Sequence, residues 1–474
     1  MHTLRVLGYA CALWLLAGCA ADGEPPTGPN GGTETEAAFL DDVQQRTFRF
    51  FQETTSPTTG LVPDRWPTPS FSSVAAVGFG LTAHVVGAER GWITRASARD
   101  RVLTTLRFFW QAPQGDRTSQ VTGYRGFFYH FLDMQTGYRF GQVELSTIDT
   151  GLLLMGVLAV QQYFDASDAA ESTIRALADS LYFRVEWDWA AVRSPEISMG
   201  WHPESGFIAH DYDGYNEAMF LYVLALGSPT HPLPPAAWEE FTTTYEWREF
   251  HGQPHINFAP LFGHQYSHAW IDFRGIQDAY MRVRGIDYFE NSRRATLAQR
   301  AYAVHNPGGW EGYGADIWGL TASDGPGNVS VTIDGRARQF RGYWARGAAA
   351  TGVLDDGTIA PAAVGGSVPF APEITIPALR AMRDGTGGNL YAQYGFKDAF
   401  NLTLDQPGLA TRGTTVPGVG WFDVDYLGID QGPILLMIEN HRTGLVWALM
   451  RESPHIVRGL CRAGFTGGWL AGRC

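Results

Sequence analysis

Asp133-Met-Gln-Thr-Gly-Tyr-Arg139-Phe-Gly-Gln-Val-Glu144-Leu-Ser-Thr-Ile-Asp149-Thr-Gly-Leu-Leu-Leu-Met-Gly-Val-Leu158 is the stretch on which the fold turns. It leads into a run, Thr147–Tyr163, that carries one charge in its first turn and none afterwards. The helix expected there has no face suited to water, so it must be enclosed on every side. Ser146 reads as its N-cap, and Asp149 follows at the spacing of a capping box. Asp133, Glu144, Asp149 and Arg139 therefore stand just before, or in the first turn of, a buried helix. The free N–H groups and positive dipole end of such a helix favour negative charge. Carboxylates held at that mouth suit acid–base chemistry, although a capping role accounts for Asp149 equally well.

Outward from this helix the chain alternates. Ala38–Glu53, Arg95–Gln111, Asp168–Glu186, Pro235–Trp247, Glu290–His305 and Glu373–Arg383 read as helices charged on one face. Ser73–Gly87, Thr147–Tyr163, Gly214–Gly227, Gln431–Asn440 and, less cleanly, Tyr343–Leu354 are nearly uncharged all round, while His268–Arg284 is mixed and breaks the pattern. Buried helices each paired with a surface helix are what an (α/α)6 toroid requires. A solenoid would also alternate, but no repeat of fixed period is present. The expectation is an all-α fold over residues 37–474, one (α/α)6 double helical barrel with long loops. The β-like runs Gly126–Leu132 and Asn328–Arg338 add a small sheet on one face. Alternate helices run in the same direction, so the inner ones present their N-termini at one end. Glu144, Asp149, Asp211, Asp213, Glu217 and Asp430 should converge there.

Composition narrows the partners. Of the 474 residues, 45% are hydrophobic and 18% charged, the profile of a globular protein with a large core. The net charge is −13, Lys397 is the sole lysine, and no basic cluster occurs, which argues against nucleic acid. The 16 tryptophans are either core or flat platforms on which apolar sugar faces stack. A monomer is expected.

The N-terminus reads as a targeting segment. Arg5 precedes an apolar run, Val6–Leu16, too short to span a bilayer. Leu16-Ala-Gly-Cys19 resembles the lipobox of bacterial lipoproteins, which implies a signal peptide over 1–18, acylation at Cys19 and a flexible tether over 19–36; an ordinary signal peptide cut near Ala20 is the other reading. Either way the protein is exported, and in the first case it is anchored by lipid to a bacterial membrane, periplasmic or at the cell surface. With Cys11 removed and Cys19 acylated, Cys461 and Cys474 remain as a disulfide pair or as two free thiols. No spacing typical of a metal site is visible, and no cofactor is expected.

Five constellations could carry chemistry. The first is Glu144 and Asp149 with Asp133 and Arg139. The second runs from His202 through His210, Asp211, Asp213 and Tyr215 to Glu217, a carboxylate one turn into an apolar helix, where burial demands a partner or a role. The third holds His268, Trp270, Asp272 and Arg274, with Asp272 and Arg274 also readable as a structural ion pair. The fourth is a glycine-rich loop with Trp310, Glu311, Trp318 and Asp324. The last is Lys397 with Trp421 and Asp430.

Six ordered motifs carry a resemblance: Glu144-Leu-Ser-Thr-Ile-Asp-Thr, Tyr215-Asn-Glu-Ala-Met, His268-Ala-Trp-Ile-Asp-Phe-Arg-Gly, Trp318-Gly-Leu-Thr-Ala-Ser-Asp-Gly-Pro, Tyr394-Gly-Phe-Lys-Asp-Ala-Phe-Asn and Gly428-Ile-Asp-Gln-Gly-Pro. Together they resemble the glucoamylase-like domain family, which includes the β-1,2-glucanases of glycoside hydrolase family 144. The resemblance covers about Ala37 to Arg451 and implies an (α/α)6 barrel, a β-glucan substrate and an inverting, metal-free mechanism. Such a reaction needs one protonated carboxyl as acid and one ionised carboxylate as base. Glu217 and Glu144 are the expected pair, supported by Asp149, Asp133 and Asp211. Substrate contacts are expected from Arg139, His202, Tyr215, His268, Trp270, Asp272, Trp310, Glu311, Trp318, Asp324, Lys397, Trp421 and Asp430. Two rival readings remain. One is a toroidal polysaccharide lyase using His202, His210, Tyr212 and Arg274, and the other is a glycan-binding lipoprotein without catalysis.

Overall fold

The computed structural model describes residues 34–474. The expected signal peptide, the acylation site Cys19 and the tether up to residue 33 lie outside the described residues.

Twelve helices build the architecture: α1 (Glu36–Thr54), α2 (Val74–Glu89), α3 (Arg95–Gln111), α4 (Thr147–Tyr163), α5 (Ala169–Phe183), α6 (Met219–Gly227), α7 (Ala236–Thr243), α8 (Tyr266–Trp270), α9 (Tyr288–His305), α10 (Pro361–Gly365), α11 (Pro372–Gly385) and α12 (Gly428–Arg442). Every residue of α6, α8 and α10 is buried, as is nearly every residue of α2, α4 and α12. The odd-numbered helices bury one face only. The even-numbered helices pack on one another: α2 lies between α4 and α12, α4 meets α6, α6 meets α8, and α8 and α10 meet α12. Gln265, just ahead of α8, donates to the carbonyl of Ala363 at 2.7 Å and to Ser367 Oγ at 2.8 Å, tying α8 to α10. Outside, α1 lies on α2 and α12, α3 on α2 and α5, and α11 on α10. The molecule is a helical barrel with a buried inner layer and an amphipathic outer one.

The tightest seam is α2 against α4. A Cβ on Gly78 would stand 2.1 Å from the carbonyl oxygen of Leu152, and one on Gly156 would stand 2.1 Å from that of Gly78. Backbone meets backbone there, which only residues without a side chain permit. Two further helices close the barrel. α13 (Leu445–Arg451) directly follows α12 and touches α4, α8 and α12, so it plugs the end away from the helix starts. α14 (Pro454–Arg462) packs on α6. Cys461 on α14 and Cys474 are bonded, with Cα atoms 5.4 Å apart.

Two expected inner helices take other forms. Tyr343–Leu354 is a set of short strands, Trp344–Ala345, Gly347–Ala349 and Gly352–Leu354, and the inner position falls to α10 instead. Arg346 explains the difference: its buried guanidinium bonds Asp356 at 2.7 and 2.9 Å and several loop carbonyls, so the segment is organised around a charge that an apolar helix could not hold. The start signal of α10, a proline at its first position, lies at Pro361. His268–Arg284 divides into α8 and a separate short helix, Ala279–Arg284, because Asp272 and Arg274 pair in a turn that continues through Gly275 at φ +73°. Pro235–Trp247 also stops early, since Trp247–Phe250 pairs with Gln253–Ile256 as a hairpin. Strand content exceeds one small sheet. The largest ladder has five antiparallel strands, β1 (Gly123–Tyr124), β2 (Phe127–Tyr129), β3 (Leu145–Ser146), β4 (Gly200–His202) and β5 (Gly206–Phe207).

Candidate active site

This five-stranded sheet assembles the first half of the site. Phe128 pairs with Ser146 and Tyr129 with Leu145, so the next residue of β2's chain, His130, faces Glu144 across the ladder. The backbone N–H of His130 donates to the Glu144 carbonyl at 3.0 Å, and its Nδ1 lies 2.7 Å from Glu144 Oε1. Its Nε2 is 3.6 Å from Asp149 Oδ2. Ser146 ends β3 and caps α4: its hydroxyl accepts from the Asp149 N–H at 3.2 Å and donates to the Asp149 carboxylate. Strand register and a helix cap thus place Glu144, His130 and Asp149 in one line. The ring of His130 stacks on Phe131 at 3.8 Å.

The second half comes from the turn before α6. Asn216 donates to the Asp213 carbonyl at 3.1 Å and accepts from the Ala218 N–H at 2.9 Å, and the Glu217 carbonyl accepts from Ser267 on α8 at 2.9 Å. Glu217 is thereby locked at the start of α6 and half-buried. Two tyrosines show that these pieces meet. Burial, followed by the charges of Glu217, Asp149 and Glu144, pushes the Tyr212 phenol well above its ordinary value. Burial and the charges of Asp430, Glu217 and Asp149 do the same to Tyr266, the first residue of α8. The N-terminal ends of α4, α6, α8 and α12 therefore share one mouth.

The carboxyl groups there are driven apart in acidity. Desolvation by the surrounding protein, with a smaller contribution from the Asp149 charge, pushes Glu217 up to about 7. Burial would also raise Glu144, but the hydrogen bond and charge of His130 outweigh it and hold Glu144 below its ordinary value. Burial raises Asp149, against the opposing pull of His130 and Ser146. Burial alone would keep His130 neutral; Asp149 and Glu144 reverse that and push it up to about 9. One carboxyl at the mouth is thus largely protonated and another ionised near neutral pH, and both act on Tyr212.

Across the mouth lies a second acidic group. Asp430, in the first turn of α12, and Asp398 are buried, and desolvation raises both, with the charge of Asp430 adding to the rise of Asp398. Asp398 accepts from the Asp324 N–H at 2.7 Å. Asp324, Asp423 and Asp425 each present a carboxylate oxygen within 4.8 Å of the others, a donor set suited to a hard divalent cation. Arg65 and Arg412 supply the positive charge there: both bond Asp324, and Arg65 also reaches Asp64 at 3.2 Å. A groove of about 480 Å³ runs from Arg65 and Arg412 past Thr68 and Phe71 to Asp133 and Phe140, and a smaller one of about 210 Å³ continues to Asp423 and Asp425. Phe71 packs on Phe131 at 4.2 Å and Phe140 at 4.7 Å, so the groove reaches the ring under His130.

Of the expected residues, Glu144, Asp149, Glu217, Asp324 and Asp430 meet at this mouth. Lys397 lies beside Asp423, and the charge of His202 acts on Glu144. The others serve elsewhere. Asp133 lines the outer groove and spends its carboxylate on a turn, accepting from the N–H groups of Gln135 and Thr136. Asp211 is held by Arg193. Arg139 is buried against Glu204 at 2.7 Å and lies over the Tyr129 ring, a wall element unable to reach a ligand. Asp272 pairs with Arg274 and Arg451. Trp270, Trp318 and Trp421 are fully buried and Trp310 nearly so, which excludes them as stacking platforms. His268 and Tyr215 are core, and Glu311 points outward on its loop. Trp66 and Phe140 are exposed rings beside the groove, at 43% and 41%, and Tyr343, 55% exposed, lies near Asp430, Asp398, Asp64 and Asp324. Asp213 does not cap α6; Asn216 holds that turn. His130, Asp64, Asp398, Asp423, Asp425, Arg65, Arg412 and Tyr266 are site residues that the motif analysis did not single out. Three of them stand in stretches already noted: Asp398 in the Tyr394–Asn401 motif, Tyr266 at the head of the His268 constellation and His130 in the Gly126–Leu132 run.

Comparison with known proteins gives the family. The Glycoamylase family model, described as "Putative glucoamylase", matches residues 209–454. A crystal structure from Bacteroides uniformis carrying the same description is 33% identical, with a TM-score of 0.78 over 92% of this chain and 99% of that one. The chain belongs to the glucoamylase-like family. The endo-β-1,2-glucanase of Chitinophaga pinensis, solved with sophorotriose and glucose, is 28% identical, with a TM-score of 0.78 over 92% of this chain and 100% of that one. An exo β-1,2-glucooligosaccharide sophorohydrolase (non-reducing end) from Parabacteroides distasonis is 31% identical over 460 residues, or 90% of this chain; the chain spans 58% of that relative's length.

Proposed function

We propose that this protein is a glycoside hydrolase that cleaves β-1,2-linked glucan, with Glu217 as general acid and Glu144 as general base. The observation that carries the reading is the pair of opposed acidities at one mouth: Glu217 is pushed up to about 7 by burial while His130 keeps Glu144 ionised. Two carboxyl groups with separated pKa values are what protonation of a leaving oxygen and activation of water require. His130 and Asp149 position Glu144 rather than touch substrate. The β-1,2 linkage is inferred from the Chitinophaga and Parabacteroides relatives. The alternation of six inner and six outer helices supports the (α/α)6 form of the barrel. Water delivered by Glu144 gives inversion, which NMR of the first-formed anomer would read. Leu16-Ala-Gly-Cys19 supports export with a lipid anchor, testable by mass spectrometry of the mature N-terminus.

A second assignment of the base has its own support, because Asp430 acts on the same tyrosine, Tyr266, as Glu217. Product analysis on linear β-1,2-, β-1,3- and β-1,4-glucans with E217Q, E144Q and D430N decides both points. Hydrolysis of the β-1,2 polymer lost in E217Q and E144Q but kept in D430N supports the first assignment. Loss in D430N with E144Q active transfers the base role. Activity retained in E217Q would retire Glu217 as the acid, and unsaturated products would reject the hydrolase mechanism.

A further inference from the structure

A second pocket lies in the outer wall, between the loop after α1 and the helices α2 and α3, and shares no residue with the mouth. Its volume is about 420 Å³, within the range of small-ligand sites. Three of its groups lack partners. His84, on the inner helix α2, is 3% exposed; its Nδ1 is buried without a hydrogen bond, and the ring touches the pocket. Thr55 is 8% exposed, and its hydroxyl is likewise buried and unbonded. Arg101, on α3, is half-buried and forms no ion pair among the described residues; Asp100 also lines the pocket, with its charge paired to Arg99 at 2.9 Å. A buried hydroxyl, a buried imidazole and a desolvated guanidinium without counter-ion are each costly unless something fills them.

We propose that this pocket binds a small tetrahedral oxyanion of the phosphate class, with Arg101 as its main anchor and His84 and Thr55 as hydrogen-bond donors. Arg101 supplies the fixed positive charge and a planar fork of N–H groups matched to phosphate oxygens. Burial, with a contribution from the Arg101 charge, keeps His84 neutral, at about 3, so one ring nitrogen carries a hydrogen and can donate. The hydroxyls of Ser97 and Ser56 line the remaining space, which leaves room for a hydroxylated carrier of the anion. Bound here, the ligand would fasten the α1 exit loop to α2 and α3.

The test is thermal unfolding of the full chain in inorganic phosphate at constant ionic strength, with sodium chloride as control, for the wild type and R101Q, together with calorimetric titration. A phosphate-dependent rise in Tm in the wild type that disappears in R101Q supports the site, because a ligand held only by the folded state stabilises it. Equal rises in both proteins place the phosphate elsewhere, for example at Arg65 and Arg412, and overturn the proposal. So does the absence of any rise or heat. Should R101Q fail to fold, T55V serves in its place: weakened phosphate binding supports the site, and unchanged affinity overturns it.

Discussion

Replacing His130 by asparagine removes the one cation that joins Glu144 to Asp149. Its Nδ1 stands 2.7 Å from Glu144 and its Nε2 3.6 Å from Asp149. The imidazole is raised from 6.5 to about 9 even though burial opposes its charge. At 1.36 kcal/mol per pH unit that rise corresponds to about 3 kcal/mol of net attraction, and the open side of the ring, 30% exposed, screens it toward about 2 kcal/mol. Linkage is reciprocal, so the same energy holds the two carboxylates ionised. Divided evenly, it raises each of them by roughly one pH unit when the imidazolium is lost. In H130N the acid limb of kcat/KM, set by Glu144 as base, should therefore move up by about one pH unit. Stability gives an independent reading. Because the folded-state value lies above the unfolded one, the contribution of His130 is complete below pH 6.5 and lost as pH rises through about 9. Urea unfolding at pH 6, 7.5 and 9 should show that loss in the wild type and not in H130N. An unmoved acid limb, with the same pH dependence of unfolding in both proteins, would refute the reasoning.

Three further outcomes follow from the structure. E217Q should lower kcat by about 10²–10⁴-fold without lowering Tm, and in the wild type kcat/KM should fall about tenfold per pH unit above 7, where Glu217 loses its proton. G156A should destabilise by at least about 3 kcal/mol in denaturant titration, because the roughly 1 kcal/mol gained in helix propensity cannot offset a Cβ set 2.1 Å from the Gly78 carbonyl. Replacing Cys461 and Cys474 by serine should cost about 3 kcal/mol, the closure entropy of a loop with a sequence separation of 13, read as a lower Tm that reductant no longer changes.

The inner layer could be read from the chain because an uncharged helix has nowhere else to go, and helix starts on one end implied a common acidic mouth. α2, α4, α6 and α12 were found on that ground, each within a few residues of its bounds except α6, which starts five residues late. Inner helices as short as α8 and α10, five residues each, leave too little periodicity to detect, so a glycine-broken alanine run stood in for α10. His130 escaped notice because its partnership with Glu144 depends on which strands pair and in what register, a property of distant segments. Asp64, Asp423 and Asp425 come from connections with no pattern of their own. The tryptophans were misassigned for a related reason: an indole among glycines reads the same whether it faces a ligand or, like Trp318 and Trp421, the core.

The scarcity of lysine has a consequence at the mouth. Asp64, Asp324, Asp398, Asp423, Asp425 and Asp430 are opposed there chiefly by Arg65 and Arg412; burial would lower the Arg65 guanidinium, but the charges of Asp324 and Asp64 outweigh it and raise the group above its ordinary value. The titrating cations are His130, beside Glu144, and Lys397, beside Asp423. Alkaline conditions, which would strip a lysine of its proton, leave Arg65 charged, so its pairs with Asp64 and Asp324 persist on the basic side and weaken only where acid protonates the carboxylates.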